Sequence, residues 1–177
     1  MSWQAGLRAV GGNKIGAAIG ELHRAENSLA AALVALADEQ RTDHEIHHVA
    51  RDIAGWSREH VAGLARVGRD YGLDLDEQPS RRARDDDSLA QLAKRKTAEA
   101  VGRFHAPALL LLADLRHVHR VAAGVSLDWE VLAQSAQALK DEELLDLAQD
   151  CHPQTLRQLR WANAKVKEIA AQVMVTG

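Results

Sequence analysis

KIGAAIGELHRAENSLAAALVALADE, residues 14–39, decides the fold. Ile15, Ile19, Leu22, Glu26, Leu29, Leu33 and Leu36 follow one another at steps of four and three. That spacing is the seam of an amphipathic helix packed lengthwise on other helices. All of these positions are apolar except Glu26. A carboxylate on a buried seam is costly unless it is hydrogen-bonded, paired or bound to a metal.

The same periodicity continues on both sides. Asn13 is a candidate N-cap, so residues 1–12 read as an arm that Gly11-Gly12 separates from the helix at 14–39. A second helix is predicted over 43–71, with Asp43 as its cap and a seam through Ile46, Val49, Ile53, Trp56, His60, Gly63 and Val67. His60 is the polar exception there. Residues 72–106 break the pattern with Gly72, Pro79 and the charged run RRARDDD, a solvated crossover that has room for a short helix near 88–104. A third helix is predicted over 107–139. Its seam keeps phase from Leu111 to Leu139, so Gly124 is expected to lie inside one unbroken helix at a cost of about 1 kcal/mol. A fourth, over 142–173, carries Pro153 and is expected to kink there. His152 and Thr155 are expected to satisfy the carbonyl that Pro153 frees.

These helices, each near 45 Å long at about 1.5 Å per residue, are joined by two short connections and one long one. The sequence therefore predicts an all-α protein: a four-helix bundle of two antiparallel hairpins joined by a long crossover. The chain of 177 residues suffices for one domain, and its 46% apolar and 3% aromatic content suits helices better than a sheet sandwich. A net charge of −3 and a pI near 6.3 give no nucleic-acid footprint. No apolar run is long enough to span a membrane, and the start lacks a secretory apolar core. The single cysteine, Cys151, excludes an internal disulfide and fits a reducing compartment. A cytoplasmic protein is expected.

Two hairpins joined by one long crossover resemble the ferritin-like superfamily. Within the first helix, Glu21-Leu22-His23-Arg24-Ala25-Glu26 resembles the opening E-L-x-x-A-E of the small stress-associated ferritin-like proteins of bacteria. The resemblance implies a di-iron site built from a Glu on the first and third helices and Glu-x-x-His on the second and fourth. Glu26 and His60 fall where such a Glu and His would lie, but Ser57 replaces the second helix's Glu. At the same level the third helix offers Val125, and the fourth offers Leu156 to Leu159 without Glu or His. A degenerate site is expected, without the family's oxidase chemistry.

Two readings of the centre remain. Glu26 and His60, with His23 or His152, could hold one Fe, Zn or Mn ion, tied through the resemblance to iron handling or stress. The plainer reading, which the residues favour, is a buried Glu–His hydrogen bond left by a lost metal site. On that reading the protein is a non-enzymatic bundle that forms a homodimer or docks another protein through its helix faces. Replacing Glu26 by leucine is then expected to be neutral or stabilising. His44, His47 and His48 read as a solvated face near the first turn, His117 and His119 as a half-buried pair, and Cys151 as an inert thiol.

Overall fold

The computed structural model describes the backbone over residues 3–78 and 106–175, and the side chains over 14–78 and 107–175. The described chain is helical: α1 (Trp3–Glu39), α2 (His44–Gly68), a 3-10 turn (Arg69–Tyr71), α3 (Ala106–Leu139) and α4 (Glu142–Val175). No strand occurs among the described residues. No helix among them is long and apolar enough to cross a membrane. The expected short helix at 88–104 and most of the crossover lie outside the described residues.

Local chemistry sets the boundaries. Asp43 caps α2 through its Oδ1, which accepts the Ile46 N–H at 3.0 Å. Asp141 does the same for α4, accepting the Leu144 N–H at 3.0 Å. At the other termini α2 and α3 close in the same way. Leu73 N–H bonds back to the Gly68 carbonyl and Gly72 N–H to Arg69, while Asp141 N–H bonds to Ala136 and Lys140 N–H to Gln137. Both are Schellman motifs, which require a left-handed residue. Gly72 fills that place at φ 75° and Lys140 at φ 55°.

α3 passes through Gly124 unbroken, as its seam predicts. α4 likewise continues through Pro153. The first helix differs from expectation: α1 begins at Trp3, and Gly11-Gly12 do not end it. The last turn of the predicted second helix, Arg69–Tyr71, tightens to 3-10 geometry.

α1 packs on α2 and α3, and α4 packs on the same two, so α2 and α3 sit diagonally across the bundle. The Tyr71 hydroxyl donates to Asp141, which places the C-terminal ends of α2 and α3 at one end. Asp43 and Ile46 share a cleft with Ala108 and Leu111, which places their N-terminal ends at the other. α2 and α3 are therefore parallel, and the chain between them must return the length of the bundle. Its first leg does so along α1: Leu73 lies beside Gly16, and the Asp76 carbonyl meets His23 at 2.8 Å. The core is the inner seam of all four helices, from Ile19, Leu22, Leu29 and Leu33 to Leu64, Leu115, Leu132 and Leu144. Burying such side chains contributes about 1.5–3 kcal/mol each.

Candidate functional site: a buried polar centre

Midway along this apolar seam, one carboxylate oxygen gathers all four helices. Glu26 of α1 is fully buried. Its Oε1 accepts His60 Nδ1 of α2 at 2.8 Å, Trp129 Nε1 of α3 at 2.7 Å and Thr155 Oγ1 of α4 at 3.3 Å. The His60 and Trp129 rings meet edge to face at 5.8 Å, a favourable contact in its own right. His60 Nε2 in turn lies 3.0 Å from Gln154 Oε1. With a carboxylate on one nitrogen and an amide oxygen on the other, both nitrogens donate, which is the charged imidazolium. Burial opposes that charge. The neighbouring Cys151 side chain and the hydrogen-bonded Glu26 carboxylate outweigh it and push the His60 pKa up to about 10.

A second polar step lies one turn away. Gln158 Nε2 donates to the Ile53 carbonyl at 2.7 Å and to Ser57 Oγ at 3.0 Å. Ser57, the residue in place of the expected glutamate, is thus fully buried and occupied by an amide. Three buried polar atoms among the described residues have no partner: Glu26 Oε2, Gln158 Oε1 and Trp161 Nε1.

The four residues named from the sequence do not meet in one place. Glu26 and His60 bond directly. His23 faces away, its Nε2 toward the Asp76 carbonyl at 2.8 Å and its Nδ1 3.5 Å from Asn27. His152 Nε2 takes up Ser126 Oγ at 2.8 Å. Neither His152 nor Thr155 is engaged with the carbonyl freed by Pro153; they join Ser126 and Glu26 instead. No group of three His, Cys, Asp or Glu side chains placed to hold a metal occurs among the described residues. His47 reaches back to the Ala37 carbonyl at 2.7 Å, while the His44 and His48 rings stack at 6.1 Å.

Sequence reasoning missed Trp129, Gln154 and Thr155 as partners of the centre. Trp129 and Thr155 were legible as seam positions with a polar atom, which is the signal that could have found them. Estimating the level by counting from the turns placed Val125 there, one helical turn short of Trp129.

The donor set fits a di-iron centre poorly. Such a centre needs several carboxylates to bridge and neutralise the cations, and Glu26 is the only acid in the hydrogen-bonded cluster. An indole N–H and a hydroxyl aimed at its Oε1 hold the electropositive positions that a cation would need. Comparison with protein families, with curated proteins and with solved structures finds no match.

Proposed function

We propose that this chain is a non-enzymatic, ferritin-like bundle that serves as an interaction or oligomerisation module in the cytoplasm. At its centre a hydrogen-bonded clasp takes the level of a lost di-iron site. The observation that carries the reading is the saturation of Glu26 Oε1 by one side chain from each other helix. Ferritin-like descent is supported by the parallel α2 and α3 and by the Glu21–Glu26 motif. The partner is a second copy or another protein, received on an outer helix face.

A second reading has one observation in its favour. Glu26 Oε2 is buried without a hydrogen-bond partner, so a reduced site for a single Fe, Zn or Mn ion could use it together with a turned His60. Thermal melts of wild type and Glu26→Leu, with chelator and with each metal, separate the two. A metal-free clasp leaves both melting temperatures unmoved by metal. A resident ion adds about 2.7 kcal/mol to wild type at a hundredfold excess over its dissociation constant, and nothing to Glu26→Leu. Aerobic ferrous iron provides an independent check: the proposal expects oxidation no faster than in buffer.

A further inference from the structure

The outward face of α3 carries an apolar stripe that nothing in the described chain covers. Leu127 is 60% exposed and Val131 53% exposed. Ala123 and Gly124 are exposed beside them on the same face. A Cβ at Gly124 would meet no atom of the described residues within 4 Å. Glycine in a helix interior costs roughly 0.5–1 kcal/mol against alanine, and packing among the described residues gives no reason for it. Close approach of a second helix would supply one.

Charge around the stripe is polarised along the helix. Arg116 and Arg120 are exposed toward its N-terminal half, and Glu130 is exposed toward its C-terminal half. Two copies laid parallel would set like charges together. Two copies laid antiparallel set Arg120 of each against Glu130 of the other when the two-fold axis lies at the level of residue 125. That same register sets Ala123 of each copy against Leu127 of the other, with Gly124 at the crossing. It also brings Val131 of each copy to the small cleft of about 110 Å³ that Arg116, His119, Arg120, Asn163 and Val166 line.

We propose that this protein forms a two-fold homodimer through antiparallel pairing of α3 with α3 of a second copy, centred near Gly124 and held in register by reciprocal Arg120–Glu130 ion pairs. The assignment names the partner for the interaction module proposed above and rests on that reading. One register satisfies both the apolar and the charged residues, and an isologous interface requires such self-complementarity.

Sedimentation equilibrium of the full chain at micromolar concentrations tests it. Wild type is expected to be a dimer. Arg120→Glu and Glu130→Arg are each expected to weaken association, raising the dissociation constant about tenfold or more, since each places two like-charge pairs in the interface. The double reversal is expected to restore wild-type affinity. Gly124→Trp is expected to give a monomer with unchanged helix content, because Gly124 is exposed and a Cβ there meets no described residue. A monomeric wild type overturns the proposal, as does a dimer indifferent to these changes or a double reversal that fails to rescue. Metal dependence of the centre is read separately by the melts above, so either idea can fail without the other.

Discussion

Glu26 fixes the expectations at the scale of single residues. Read from the sequence, its replacement by leucine should do no harm, because a lone histidine can turn neutral. The structure reverses this. Glu26→Leu would strand the Trp129 indole N–H at the core, and the Thr155 hydroxyl and His60 with it. Removing one member of a buried charged pair costs about 3–5 kcal/mol, and urea unfolding should show a loss of that order. His60 sets the pH dependence. Its folded pKa is raised from 6.5 to about 10, so its contribution is complete below pH 6.5 and is lost as pH rises through 10. Stability should therefore fall steadily across that interval, and a His60→Asn variant should lack the fall. Glu26 and His60 were legible because each is polar on an apolar seam. Trp129 was legible only as a seam position, because tryptophan counts as apolar in a periodicity and its N–H shows as a partner only when Glu26 is in place.

Among elements, the clearest contrast is between the ends of α2 and α3. Both use the same pair of backbone bonds, but one gives the left-handed place to Gly72 and the other to Lys140. A side chain in that conformation costs roughly 1 kcal/mol that glycine does not. Lys140→Gly should raise stability by about 1 kcal/mol, and Gly72→Lys should lower it by a similar amount; paired denaturation curves would check both signs. Element lengths were legible wherever the seam kept phase, which is why α3 could be read straight through Gly124. The arm at 1–12 was the exception. A glycine pair removes only about 1 kcal/mol each from helix propensity. A helix already nucleated over 14–39 can extend through such a pair one residue at a time.

At the scale of the whole molecule, the long crossover could be inferred from connection lengths alone, since a short turn forces antiparallel neighbours and a long one frees the next helix to start at the far end. Which polar atoms would meet at mid-bundle could not, because helix rotation and rise must both be known to within a residue. The meeting of four helices at one oxygen predicts strong cooperativity. Amides near Glu26, His60, Trp129 and Thr155 should exchange hydrogen only through global unfolding, at one common free energy. In Trp129→Phe, protection on α3 should fall furthest. The same meeting point also shapes how this sequence can change over time. An apolar centre of equal volume would be as stable or more so, yet each single substitution toward it leaves a buried donor or charge without its partner. Glu26, His60 and Thr155 are coupled strongly enough that their effects will not add. They can be exchanged as a set but not one by one, so a lineage carrying this clasp is held to it by the intermediates it would have to pass through.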